Sequence, residues 1–144
     1  MITSHGLNAR EKSSMEFRTR AIHVGQQRDP TNGAVVPPIH VASTFVQPDV
    51  SMSSDYDYAR TGNPTRHAFE STLADLDAGT RALAFASGMA ATRCVTDLLV
   101  PGDHIVTGTD IYGGTWRLFH KHLIPQGILV SAVDMTDLKA VSQA

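Results

Sequence analysis

The sequence predicts an α/β fold built on a parallel, helix-covered sheet. Three observations carry this. Strand-like and helix-like segments alternate through the second half of the chain, turn residues separate them, and Leu83-Ala-Phe-Ala-Ser-Gly-Met-Ala-Ala-Thr92 runs from a buried strand through a small-residue turn straight into a helix.

The elements follow in order. From Arg18 to about Ser54 there is little periodicity, and Pro30, Pro37, Pro38 and Pro48 punctuate the segment. Paired prolines favour extended chain, so 34–45 is expected as an arm with at most one helical turn. Such an arm has no core of its own and is expected to lie partly on another subunit. Asn63-Pro64 is a helix start, an asparagine cap followed by proline at the first helical position, with Phe69, Leu73 and Leu76 on one face and Gly79 as terminator. The helix is predicted over 64–78. A strand is predicted over 82–86, a helix over about 89–99, a turn at Pro101-Gly102-Asp103 and a second strand over 104–107. A Gly113-Gly114 turn, a helix over about 115–123 and a third strand over 128–133 come next. Trp116, Leu118, Phe119 and Leu123 are expected to face the sheet. Thr136 and Asp137 cap a last helix. Three strands make a narrow sheet with unfinished edges, so the chain is expected to be the first part of a larger domain.

With 144 residues, 42% of them hydrophobic and 18% charged, the chain has material for a real core. Twelve basic against fourteen acidic residues leave a net charge of −2 with no basic run, which argues against nucleic acid or an anionic membrane as partner. No apolar run reaches a membrane span, and the first 17 residues lack the apolar centre of a signal peptide. The single cysteine, Cys94, excludes an internal disulfide, is read as a small core residue and fits a reducing compartment. The expected location is the cytoplasm. Residues 1–17 are expected as a disordered leader, with Met15 as an alternative start.

The chemistry concentrates in three places. Neither a P-loop nor a G-x-G-x-x-G follows a strand. The Ser87-Gly88-Met89 turn, however, puts free backbone N–H groups at a helix N-terminus, where an anion is favoured by both hydrogen bonding and the helix dipole. Tyr58 and Arg60 set an aromatic hydroxyl and a guanidinium two residues apart, suited to phosphate oxygens, although the same pair also reads as a solvated loop. Tyr112 lies beyond the carboxyl end of the second strand, placed to stack on a flat ring or to pack on the core. His104, His120 and His122 make no metal set, because H-x-H on a helix turns its rings to different faces and no cysteines accompany them. Asn63 reads as a helix cap, and Asp103 and Asp110 are not spaced as an acid/base pair.

Together with Ala34-Val-Val-Pro-Pro-Ile39, Ser43-Thr-Phe45, Gly62-Asn-Pro-Thr-Arg66, Phe85-Ala-Ser-Gly-Met-Ala-Ala91, Pro101-Gly-Asp103 and Tyr112-Gly-Gly-Thr115, these residues resemble the start of the pyridoxal-phosphate (PLP) enzymes of cysteine and methionine metabolism. That group includes cystathionine γ-synthase, cystathionine γ-lyase, methionine γ-lyase and the O-acylhomoserine sulfhydrylases. The resemblance runs from about Arg18 to the last residue. It implies PLP-dependent transferase fold type I, the aspartate-aminotransferase-like large domain, incomplete here and preceded by an extended N-terminal arm. It divides the chain into a leader (1–17), an arm crossing to the neighbouring subunit (18–60) and the first part of the PLP-binding α/β domain (61–144).

The resemblance also implies roles. The Ser87-Gly88-Met89 turn would take the cofactor phosphate of its own subunit through the Gly88 and Met89 amides, and Tyr112 would stack on the pyridine ring. Tyr58 and Arg60 would reach the phosphate held by a neighbour, Tyr58 also assisting proton transfer. Tyr58 and Tyr112 are the candidate catalytic residues; Tyr58, Arg60, Ser87, Gly88, Met89 and Tyr112 are the candidate cofactor ligands. The implied assembly is a dimer of dimers with shared active sites. The implied reaction is γ-replacement or γ-elimination on sulfur amino acids or O-acylhomoserine, a sulfhydrylase or methionine γ-lyase being an alternative within the family. The family holds PLP covalently through a downstream lysine in a Ser-x-Thr-Lys setting, with an aspartate at the ring nitrogen and an arginine for the substrate carboxylate. Lys12, Lys121 and Lys139, the three lysines present, are not in that setting. The 144 residues alone are therefore expected to be inactive, and a non-catalytic chain making only subunit-interface contacts is the rival expectation.

Overall fold

A computed structural model describes residues 15–51 and 54–144. The chain forms two compact units, divided between Ala84 and Phe85. Residues 1–14 of the expected leader lie outside the described residues.

The first unit holds helix α1 (Phe17–His23) and helix α2 (Pro64–Leu76). The expected extended chain is helical at its start, a feature the sequence reading missed. Seven residues do not make a stable helix in water, so α1 owes its form to what it docks on. Arg20 Nε pairs with Asp75 Oδ2 at 2.8 Å, and the same guanidinium donates to the Asp75 carbonyl. The Thr72 hydroxyl donates to the Val24 carbonyl at 2.7 Å, and Val24 is 2% exposed. Gly25, at φ +75°, turns the chain so tightly that a Cβ there would lie 2.4 Å from the Ala68 carbonyl oxygen.

Helix α2 begins as its cap predicts. Asn63 is extended, its side chain accepts from the Thr65 and Arg66 amides, and Pro64 opens the helix. It ends at Leu76, two residues early, where Asp77 caps it and Ala78 turns left-handed at φ +53°. The chain from 26 to 48 is irregular, with one antiparallel bridge, Thr44 to Tyr58, and Val35, Val36, Ile39 and Val41 exposed.

Residues 82–86 are not a strand. A strand exists by pairing, and the two strands among the described residues pair with each other, which leaves this segment without a ladder. The expected three-stranded sheet is accordingly two-stranded there. The second unit runs α3 (Gly88–Thr96), β1 (His104–Gly108), α4 (Gly113–Leu118), β2 (Leu129–Val133) and α5 (Leu138–Gln143). β1 and β2 are parallel, in register from His104 opposite Leu129 to Gly108 opposite Val133. Helix α3 stops at Thr96, three residues short of expectation. Gly102, at φ +100°, makes the turn into β1, and Asp137 caps α5 through the Lys139 and Ala140 amides.

Gly113 is the first residue of α4 and not part of a turn. After Leu118 the helix widens into a π turn (Phe119–Leu123) and then tightens into a 3₁₀ turn (Ile124–Gln126). Pro125 explains the change: it has no N–H for the Lys121 carbonyl and its ring crowds that carbonyl, so the last turn cannot be regular α. Phe119, Leu123 and Ile128 form the buried core, with Leu99, Ile105, Ile111, Leu118 and Val130 packed against it.

Two side chains depart from expectation. Trp116 is half exposed and stacks on His120 at 4.1 Å, its neighbour one turn along the helix, instead of lying on the sheet. Cys94 is exposed. Met89, Thr92 and Thr96 form the inward stripe of α3 at helical spacing, and Cys94 lies on the opposite side. Among the described residues no helix is long and apolar enough to cross a membrane.

Candidate functional site

Ser87 is fully extended (φ −156°, ψ 155°) and its hydroxyl oxygen accepts from the Ala90 amide at 3.1 Å, while its carbonyl accepts the first helical bond, from Ala91, at 3.2 Å. That caps one of the orphan donors of α3. The Gly88 and Met89 N–H groups, at the first two helical positions, have no intrahelical acceptor and point out of the positive end of the dipole. A Cβ on Gly88 would meet nothing within 4 Å, so approach to these amides is open. The Ser87 O–H, whose oxygen is already the cap, remains a donor.

Tyr112 joins this group in space. It stands at the entry to α4, 71% exposed, with its ring lying down over Gly114: a Cβ on Gly114 would sit 2.5 Å from Tyr112 Cε1 and 3.2 Å from Met89 Sδ. The second glycine of the pair is thus the seat that lets the ring and the Met89 side chain share one spot. The Thr115 hydroxyl faces Met89 Sδ at 3.7 Å. The arrangement offers two amide donors for an anion and, beside them, an accessible aromatic face.

Tyr58 and Arg60 form a second group, in the first unit. An Arg60 terminal nitrogen donates to the Tyr58 hydroxyl at 3.0 Å, and the guanidinium carbon is 5.1 Å from the Tyr58 ring centroid. Both side chains are exposed. Their loop is pinned. The Phe45 amide donates to the Asp57 carbonyl and the Ala59 amide to the Ser43 carbonyl, each at 2.8 Å. The Asp57 carboxylate accepts from the Thr61 hydroxyl and from the Tyr58 amide, and these two contacts, the hydroxyl's first, hold its pKa below the usual carboxylate range. Tyr56 packs against Phe45 (5.6 Å between centroids) and edge-on to His67 (6.4 Å); burial, with the Asp55 charge second, raises its phenol pKa and keeps it neutral.

The six sequence-named residues therefore fall into two groups: Ser87, Gly88 and Met89 with Tyr112, and Tyr58 with Arg60. The residues that support these two groups are not legible as such in the sequence. Gly114 as the ring's seat was visible only as a glycine, and Asp57 with Thr61 only as an i, i+4 spacing outside any helix.

The family description "Cys/Met metabolism PLP-dependent enzyme" matches residues 18–144 of this chain. The chain belongs to this Cys/Met-metabolism family. Its family is PLP-dependent, and its relatives sharpen the likeness. The chain is 46% identical over 139 residues to cystathionine beta-lyase of Coxiella burnetii, covering 96% of this chain and 36% of that protein. It is 48% identical over 128 residues to cystathionine gamma-synthase of Mycobacterium bovis, covering 88% of this chain and 33% of the relative. Its structure matches the crystal structure of cystathionine gamma-lyase from Lactobacillus plantarum complexed with L-serine with a TM-score of 0.81 at 48% identity, over 90% of this chain and 34% of that one. These residues have part of the fold of the PLP-dependent type I enzymes. This family member spans about a third of the length of the relatives it matches.

Proposed function

We propose that these residues are the amino-terminal part of a PLP-dependent trans-sulfuration enzyme of the cystathionine γ-synthase or γ-lyase type, acting by γ-replacement or γ-elimination on sulfur amino acids or O-acylhomoserine. The observation that carries the reading is the Tyr112 ring seated on Gly114 beside Met89, whose amide and that of Gly88 have no intrahelical acceptor. A phosphate needs donors and positive potential, and a flat heteroaromatic ring needs an open aromatic face; the α3 terminus and Tyr112 supply both, so the residues present fit the cofactor.

In this reading the Gly88 and Met89 amides and the Ser87 hydroxyl hold the phosphate, and Tyr112 lies against the ring. Tyr58 and Arg60 reach the phosphate of a neighbouring subunit, with the 18–60 arm crossing to that neighbour, in a dimer of dimers. PLP when bound supplies the electron sink that makes the substrate's Cα–H acidic. The Tyr58 hydroxyl, oriented by the Arg60 donor, carries a proton near the substrate. The lone cysteine fits a cytoplasmic enzyme. Lys12, Lys121 and Lys139 lie outside a Ser-x-Thr-Lys setting, so the 144 residues by themselves are proposed to be inactive.

The test uses a family-length polypeptide carrying this sequence, with products measured from O-acylhomoserine plus cysteine and from cystathionine alone. Cystathionine made in the first assay or consumed in the second supports the reading, and activity in neither counts against it. In the same polypeptide Tyr58→Phe is expected to lower turnover about a hundredfold, the scale of general acid–base catalysis, while PLP content stays near that of the parent. Equal losses of both would remove the proton role. Gly114→Ala is expected to push the Tyr112 ring off its seat: PLP affinity falls several-fold with little change in Tm, because an exposed ring can swing aside without breaking the core. Unchanged affinity would speak against Tyr112 as the stacking group.

A further inference from the structure

Arg66 occupies an electrostatically poor position. It is the third residue of α2, where the positive end of the dipole disfavours a cation, and it precedes its partner Glu70, the weaker order for an i, i+4 pair. Helix stability does not account for it. Its contacts do. The guanidinium folds back past the helix start and donates to three successive carbonyls of the Tyr58–Arg60 loop: Ala59 at 3.3 Å, Arg60 at 3.4 Å and Thr61 at 2.9 Å. Arg66 Nε lies 3.6 Å from Glu70 Oε1. That same oxygen accepts from the Ala84 amide at 2.8 Å, three residues before Ser87. Both side chains are half-buried.

We propose that Arg66 is a positioning residue for the Tyr58–Arg60 pair, and that Glu70, which also accepts from the Ala84 amide, holds Arg66 in place. The proposal rests on the phosphate reading of Tyr58 and Arg60. A planar fork with several donors can bracket three carbonyls at once, and a lysine ammonium, a point charge on a flexible stem, cannot. With the Ala59, Arg60 and Thr61 carbonyls held, the Arg60 side chain leaves the backbone in one direction. Without the fork, the loop keeps the Thr44 to Tyr58 bridge and the Asp57 to Thr61 contact but loses its hold on the Arg60 carbonyl.

The experiment is a double-mutant cycle in the family-length protein, read as the PLP dissociation constant by titration of the apoprotein, with apoprotein Tm and kcat measured alongside. Arg66→Met is expected to weaken PLP binding about tenfold, the scale of one charge-assisted hydrogen bond, and Arg66→Lys not to restore it. In an Arg60→Ala background Arg66→Met should have no further effect, because it acts through Arg60. Should Arg66→Met fail to fold, Glu70→Gln, which keeps an acceptor for Ala84 but drops the charge, is expected to weaken PLP binding about threefold, again only when Arg60 is present. Additive losses, or full rescue by lysine, would overturn the proposal and leave the phosphate reading standing. An Arg60→Ala protein that binds PLP like the parent would instead overturn the phosphate reading itself.

Discussion

Replacing Gly88 by proline is expected to weaken PLP binding roughly ten- to 150-fold in a family-length protein while α3 stays folded. Proline suits this position in every respect except the one under test. Ser87 is already in the extended conformation that a residue before proline prefers. The first helical position favours the fixed proline φ and has no intrahelical use for its N–H. A Cβ on Gly88 meets nothing within 4 Å, so the ring has room. The substitution therefore removes one of the N–H donors without an intrahelical acceptor at the start of α3 and little else. A hydrogen bond to a charged group contributes about 1.5–3 kcal/mol, which is roughly a ten- to 150-fold change in the dissociation constant. The measurement is titration of the apoprotein with PLP, beside far-UV circular dichroism. A dissociation constant within threefold of the parent, with helix content kept, would show that the α3 terminus does not bear the phosphate.

The second large effect is on stability. Gly25→Ala is expected to destabilise the protein by about 3 kcal/mol, from strain in the left-handed region together with a clash that only movement of α1 can relieve. The added Cβ would lie 2.4 Å from the Ala68 carbonyl oxygen, 2.7 Å from Thr72 Oγ1 and 3.0 Å from the Thr72 amide nitrogen, two of which are backbone atoms of α2. Gly33 provides the control. It has the same φ of +75° and nothing within 4 Å, so Gly33→Ala should show backbone strain alone, about 1 kcal/mol. Chemical denaturation of the two variants separates clash from strain. Equal losses would mean that the contact between Gly25 and α2 does not hold α1.

Much of the fold was legible because its signals are local. Asn63-Pro64 and Asp137 cap helices through amides two or three residues away, and Gly102 turns the chain where only glycine turns easily, so α2, α5 and the entry to β1 could be read directly. What escaped depended on distant partners. Helix α1 is too short to show a period and exists through Asp75 and Thr72, more than forty residues away. Residues 82–86 have the composition of a strand but no ladder, and Cys94 has core chemistry on an exposed helix face. At the site, the six candidates stand in short motifs, whereas Gly114 as a ring seat and Arg66 as a loop clamp emerge only when separated segments meet.

By itself the sequence determined the α/β alternation, the capped helices, the small-residue turn that opens α3 at 87–89 and the family to which these residues belong, since each rests on contacts among near neighbours or on motif order. Only the tertiary structure decided that Tyr112 and Met89 share the space above Gly114, that α1 is a helix and that Arg66 faces the Tyr58 loop. Those outcomes turn on which atoms come within about 3 Å across a fold, and residue order alone does not specify that.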